Sequence, residues 1–290
     1  MHMAERPCSR YEYRKSLLSL HASVMLFGLA AVLGQFVDAP AVIVAGGRVL
    51  CSSLLLLILA LCSKRPLRLH QKKDYGIAAA AGVILAVHWT TFFQSIQSSS
   101  VAIGTITFST FPLFLTVLEP LLFREKFKVR NLGTATALLL GVFITIPEFS
   151  MENQVTVGVI WGMVSSLSYA LLSLANRYLS ARYTAAVICL YEQGTAAVLL
   201  LPALLLVKTS WTTQNLLGIA VIGFVCTAFA HSLYVSAQRN VAAQTAGIIS
   251  GMETVYGVVY ALIFLGEIPA GREILGGGII LIVALLSSLT

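Results

Sequence analysis

Long apolar runs alternate with short polar breaks along the whole chain. Runs of spanning length occupy Leu17–Phe36, Val42–Cys62, Tyr75–Ser95, Val101–Phe123, Asn131–Pro147, Thr156–Ala175, Ala185–Val207, Leu216–Ser236, Thr245–Leu265 and Ile274–Leu289. A bilayer core is crossed by about 20 apolar residues in a helix, so the pattern predicts an all-α integral membrane protein with ten transmembrane helices. The breaks, such as Val37-Asp38-Ala39-Pro40 and Pro147-Glu148-Phe149-Ser150, are too short for a folded insertion. Residues 1–16 read as a tail. Glu5 and Glu12 among its bases, with no small-residue cleavage site after the first run, argue against a removed signal.

Inside the spans the polar residues recur at steps of three and four, which places them on single helical faces. Span 4 carries Thr105, Ser109, Pro112, Thr116 and Glu119. Span 6 carries Gly162, Ser166, Tyr169, Ser173 and Asn176, span 8 Thr227, His231, Tyr234 and Gln238, and span 9 Ala246, Ser250, Glu253 and Gly257. Spans 1 and 3 add His21, Gly28 and Gln35, and His88, Thr91 and Ser95. Polar groups in lipid must face the bundle interior or a wet cavity, so these six helices should surround a central site. Spans 5 and 10 are almost wholly apolar and should be peripheral. The run Gly276-Gly277-Gly278 allows close helix approach, either within the chain or in a homodimer.

Composition agrees with the pattern: 58% of the 290 residues are hydrophobic and only 11% are charged. The net charge of +7 reports topology and gives no reason to expect nucleic acid, because its distribution is one-sided. The bases cluster before span 1 and between spans 2–3, 4–5, 6–7 and 8–9. The opposite side has only Lys208 and Arg272, and Arg48 lies within span 2. Both termini should therefore be cytoplasmic. Of the five cysteines, Cys51, Cys62, Cys189 and Cys226 lie in apolar runs and read as small core residues; with Cys8 they show no metal-ligand spacing.

Glu253 carries the clearest chemistry, a carboxylate near the middle of span 9 that must be paired, protonated or beside water. It is the candidate for substrate binding and for proton coupling. Candidate binding residues with it are Ser250, Gly257, Thr105, Ser109, Thr116, His88, Trp89, Tyr169, His231 and Tyr234; Tyr256 and Tyr260 could extend an aromatic wall. Arg48, with Asp38 as a partner, and Glu192 at the matching place in span 7 read as structural charges. Glu119, beside Arg124 and Lys126, reads as an interfacial charge. Neither a metal nor a cofactor is expected.

The two halves, 17–147 and 156–290, repeat at a spacing of about 142 to 144 residues. Phe27-Gly28 falls on Tyr169-Ala170, Glu125 on Glu267 and Arg130 on Arg272. Five helices is an odd number, so the second half should enter from the opposite face, giving an inverted repeat.

Phe111-Pro112 followed by Phe123-Arg124-Glu125, and Met252-Glu253-Thr254 followed by Gly266-Glu267, are similar to the paired E-P and G-E pattern of one transporter family. Arg48 resembles that family's span-2 arginine and Phe27-Gly28 its W-G pair. On these stretches the chain resembles the EamA family of the drug/metabolite transporter superfamily. The departures are Phe111 for Glu, Thr254 for Pro, Arg124 for Gly, and Tyr169-Ala170 for W-G.

The resemblance implies a secondary transporter in a bacterial inner membrane, working by alternating access on a small polar or amphiphilic metabolite, with amino acid export the leading expectation. Uptake or exchange of a cationic or nucleoside-like metabolite, and flipping of a lipid-linked substrate, are the alternatives. No G-x-x-x-x-G-K-[ST] loop is present, so a gradient should supply the energy. An intramembrane enzyme would call for clustered motifs such as H-E-x-x-H, which the chain lacks.

Overall fold

The computed structural model describes residues 10–63, 67–123, 129–148, 150–237, 240–241 and 243–288. Cys8, Arg124, Glu125, Lys126 and Gln238 lie outside the described residues, as do the side chains of Phe123, Arg130 and Ala246. The described chain is helical throughout: α1 (Arg10–Phe36), α2 (Ala41–Cys62), α3 (Lys72–Ser98), α4 (Val101–Phe108), α5 (Phe111–Phe123), α6 (Val129–Thr145), α7 (Gln154–Ser180), α8 (Ala185–Leu206), α9 (Thr213–Gly223), a π-helical segment (Phe224–Phe229), α10 (Ala230–Ala237), α11 (Ala243–Leu265) and α12 (Gly271–Ser288). Among the described residues seven helical runs are long and apolar enough to cross a membrane, and Gly133–Thr145 and Ile249–Leu265 are shorter apolar helices. The protein is a multi-pass membrane protein.

Local chemistry sets the helix ends. Asn153 Oδ1 accepts from Val155 N at 2.9 Å to start α7, and the Ser100 and Thr212 hydroxyls cap α4 and α9 in the same way. Pro40 precedes α2, where its fixed φ suits a helix entry.

Two expected helices are interrupted. Span 4 breaks at Ser109–Thr110, because Pro112 has no N–H to return to the carbonyl of Phe108, four residues earlier. That carbonyl accepts from Ser166 Oγ of α7 at 3.2 Å instead. In span 8, Thr227 Oγ1 of the π-helical segment donates to the Ile222 carbonyl, five residues back in α9, at 2.7 Å. Such segments are frequent at functional sites.

Glycines set the closest approaches. A Cβ on Gly28 of α1 would lie 2.9 Å from the Gly257 nitrogen of α11, so only glycine lets these backbones meet. In α6 and α12, Gly141 and Gly276 meet in the same way: a Cβ on Gly141 would lie 3.0 Å from the Gly276 carbonyl oxygen. The two apolar helices pack on each other. Gly277 meets Ile106 of α4, while Gly278 has nothing within 4 Å, so the glycine run serves packing within the chain at its first two positions.

Two sequence expectations are corrected, and a third gains a partner. Arg48 does not pair with Asp38, whose backbone is instead clamped by Asn215 of α9 through two hydrogen bonds of 3.0 Å. Glu119, partly exposed, forms an ion pair with Arg177 of α7, which gives this charge a partner on another helix. Of the cysteines, Cys189 and Cys226 are core residues, but Cys51 is half-buried and Cys62 is exposed at the end of α2.

Candidate functional site

Seven of the helices converge on one interior cavity. Phe27 and Ala30 come from α1, Arg48 from α2, Leu85, His88, Trp89 and Phe92 from α3, and Phe108 from α4. Tyr169 and Leu172 of α7, His231 and Tyr234 of α10, and Glu253 of α11 close it. Its cavity volume is about 40 Å³. That is room for a few waters, so a metabolite fits only after the helices separate.

Arg48 is buried and makes no ion pair among the described residues. Its guanidinium carbon sits 3.9 Å from the centre of the Trp89 ring, and its Nε donates to Thr227 Oγ1 at 2.9 Å. The π-helical segment thus holds the arginine by its Nε edge, while the residue lines the cavity. Glu253, also buried, lies within electrostatic range of Arg48 on another wall.

The two histidines are held differently. His88 Nδ1 faces the Ser165 carbonyl at 3.0 Å and the Ser165 hydroxyl at 2.9 Å. A carbonyl only accepts, which assigns the proton to Nδ1 and leaves Nε2 as an acceptor. His231 Nε2 lies 3.4 Å from Glu192 Oε2. Tyr169 anchors the aromatic wall, edge-on to Phe108 and Phe111 at 4.9 and 5.0 Å, and its hydroxyl donates to Tyr234 at 3.4 Å. Tyr234 and Ser250 share a hydrogen bond of 2.7 Å, which ties α10 to α11.

The structure therefore gathers Glu253, His88, Trp89, Tyr169, His231 and Tyr234 around one space, as the helical spacing suggested. It does not bring the small candidates into the lining. Thr105 Oγ1 donates to the Val101 carbonyl, Thr116 Oγ1 to the Leu113 carbonyl, and Ser109 lies 2.5 Å from Thr254 Oγ1. Gly257 is a packing residue against α1, and Ser250 acts behind Tyr234. Tyr256 and Tyr260 pack in the core clusters beside α1 and α4. Arg48 moves the other way, from structural charge to cavity wall. Phe27, Phe92 and Phe108 had no polar signal to mark them.

A second, wider space lies at the end of the bundle where α1 meets α2. Gln35, Asp38, Gln97 and Lys208 line this open vestibule of about 580 Å³. Gly34, one turn beyond Ala30, lines it too and packs directly on the ring of Phe93. Phe93 is fully buried, and its ring centre is 5.3 Å from Arg48. It stands between vestibule and cavity.

A helical membrane bundle around a charged, aromatic-walled interior cavity has the build of a membrane transporter. The model of the EamA-like transporter family matches residues 14–146 and again 156–289, and the chain belongs to that family. A Bacillus subtilis (strain 168) protein named as the uncharacterized transporter YxxF is 22% identical over 268 residues, 90% of this chain and 85% of that one. An uncharacterized transporter of Archaeoglobus fulgidus is 25% identical over 191 residues, covering 66% of this chain and 68% of its own. A crystal structure of another protein shares the fold with a TM-score of 0.66 at 14% identity, covering 95% of this chain and 97% of its own.

Proposed function

We propose that the protein is a secondary transporter of ten spans arranged as two inverted five-helix repeats, moving a small zwitterionic metabolite, foremost an amino acid, outward across a bacterial inner membrane. The observation that carries this reading is the pairing of opposite charges on one aromatic-walled cavity: Arg48 is free to meet a carboxylate and Glu253 an ammonium. The excess of Lys and Arg on the side that holds the N-terminus supports cytoplasmic termini and a vestibule that faces outward. Alternating access then consists of parting the halves around the closed cavity, with Phe93 as the outer barrier. A proton on Glu253 is the simplest coupling, since substrate ammonium and proton compete for one carboxylate.

A cationic or nucleoside-like substrate would use Glu253 and the aromatic rings but would face Arg48 as a repulsive neighbour. The test is thermal unfolding of the purified protein against amino acids, amines and nucleosides, with Glu253→Gln beside the wild type. Ligand at about 100 times its Kd stabilises by roughly 2.7 kcal/mol. Stabilisation by an amino acid that Glu253→Gln loses supports the zwitterion reading. Stabilisation by amines alone transfers it to the cationic class.

A further inference from the structure

Behind the cavity wall, α7, α8 and α10 bury a group of polar atoms that the protein leaves unsatisfied. Glu192 is completely buried in α8. Its Oε2 lies 3.4 Å from His231 Nε2, and its Oε1 has no hydrogen-bond partner. Asn176 of α7 faces the same carboxylate, and its own Oδ1 is also without a partner. Two more residues on the same helices carry buried orphan atoms. Both amide atoms of the buried Gln193, next in the chain, are unpartnered, as is the hydroxyl of Ser232, which follows His231 and faces Cys189 one turn before Glu192.

A buried polar atom with no partner is destabilising, and native proteins answer such atoms with an ordered water or an ion. At the carboxylate itself the unmet atoms are two oxygen acceptors, Glu192 Oε1 and Asn176 Oδ1. Carboxylate and amide oxygens are ligands for hard cations. The valence follows from charge: one carboxylate neutralises one positive charge, whereas a divalent ion would leave net charge in the interior.

We propose that Glu192 and Asn176 hold a small monovalent cation, sodium or hydronium, at a site beside the substrate cavity and separate from it. His231 links the two, because the nitrogen that faces Glu192 belongs to a ring packed against Phe27 and Trp89 in the cavity wall. The titratable groups facing Glu192 are His231 and, on its own helix, Cys189; Arg48, His88 and Glu253 stand on other walls of the cavity. With the cation bound, the Glu192 charge is neutralised and its hold on His231 weakens. With the site empty, the carboxylate draws the imidazole back. The coupling role rests on the transport reading above; the site itself does not.

Purified full-length protein is unfolded thermally in sodium chloride and in choline chloride of equal ionic strength, and then across a pH series without sodium. Wild type, Glu192→Gln and Glu253→Gln are compared. For a sodium site the wild type gains a saturable rise of about 5 °C in Tm near 100 times Kd. Choline gives no rise, and the sodium effect is lost in Glu192→Gln but kept in Glu253→Gln. For hydronium, sodium has no effect, and Glu192→Gln displaces the pH dependence of Tm in a way separate from, and additive to, the change that Glu253→Gln makes.

Equal responses of wild type and Glu192→Gln to both sodium and pH overturn the site. If Glu192→Gln does not fold, Asn176→Leu replaces it, and equilibrium dialysis of wild type with labelled sodium provides the direct reading: no bound sodium and no pH response in wild type overturns the proposal as well. Loss of amino acid binding with the cation response intact would count against the zwitterion reading and leave this site standing.

Discussion

Arg48 Nε donates to Thr227 Oγ1 at 2.9 Å across 179 residues of sequence, and Thr227, in the π-helical segment, in turn donates to the Ile222 carbonyl of α9. One hydroxyl therefore holds both the arginine and the helix distortion that presents it. Thr227→Val leaves the buried guanidinium edge unpaired, at about 1–3 kcal/mol, and removes the side-chain bond to the Ile222 carbonyl. Thr227→Ser keeps the hydroxyl and should restore most of the loss. Arg48→Lys keeps the charge but gives up the planar contact with Trp89 at 3.9 Å and the Nε bond, so it should behave like the valine variant in thermal unfolding. Retention of wild-type Tm in both Thr227→Val and Arg48→Lys would show that the bond contributes nothing.

Gly28 is where α1 and α11 touch. A methyl there would lie 2.9 Å from Gly257 N, 3.0 Å from Tyr256 Cβ and 3.2 Å from the Glu253 carbonyl oxygen, two of them backbone atoms that cannot rotate aside. Gly28→Ala should cost about 1–3 kcal/mol by overpacking and should shift Glu253 relative to Arg48, weakening ligand binding as well as stability. Gly278→Ala is the control, with nothing within 4 Å and the higher helix propensity of alanine in its favour. Equal Tm changes in the two variants would contradict this placement.

Helical periodicity in the sequence marked the helices and most of the charged and aromatic cavity wall, because polar groups in lipid have few places to go. It could not separate residues that face the cavity from those that satisfy themselves. Thr105 and Thr116 return their hydroxyls to carbonyls four and three residues back, and that local bond gives a polar helical face no reason to be wet. The break before Pro112 was readable from its missing N–H. The π-helical segment was not, since Phe224–Phe229 carries no local breaker and its bond to α2, from Arg48 to Thr227, is tertiary. Arg48 and Glu192 stand 144 residues apart and His88 and His231 stand 143 apart, within the spacing of the repeat. What each one touches is tertiary: Arg48 meets Trp89 and Thr227, whereas Glu192 meets His231.

Asp74 at the start of α3 is the centre of a second clamp. It accepts from Tyr183 at 2.5 Å and Tyr178 at 3.2 Å, and Arg182 lies 3.6 Å away. Tyr183 also accepts from the His70 backbone N–H at 3.0 Å, so one phenol joins the α2–α3 connection to the α7–α8 turn. Burial and the bond to Asp74 push the Tyr183 phenol above its ordinary range. A group whose folded pKa is raised contributes stability below its unfolded value, about 10 for tyrosine, and loses it as pH rises through the folded value. Wild type should therefore lose Tm on the alkaline side, while Tyr183→Phe starts lower at neutral pH and declines less. Parallel pH curves for the two proteins would remove Tyr183 from the clamp.

Glu267 reaches from the connection after α11 to the first turn of α4, where its Oε2 accepts from Val101 N at 3.1 Å. The reach depends on Gly266, whose φ of +67° turns the chain at the end of α11 in the left-handed region that side chains resist. Gly266→Ala has open space around the new methyl, so any loss comes from conformation alone, about 1 kcal/mol. Glu267→Ala removes the acceptor at a helix start and should cost about 0.5–2 kcal/mol, with Glu267→Gln recovering the hydrogen bond but not the charge. Because the two residues act on one contact, the double variant Gly266→Ala/Glu267→Ala should lose less than the sum of the singles. Strict additivity in thermal unfolding would separate the turn from the cap and leave the Gly-Glu pair as two independent features.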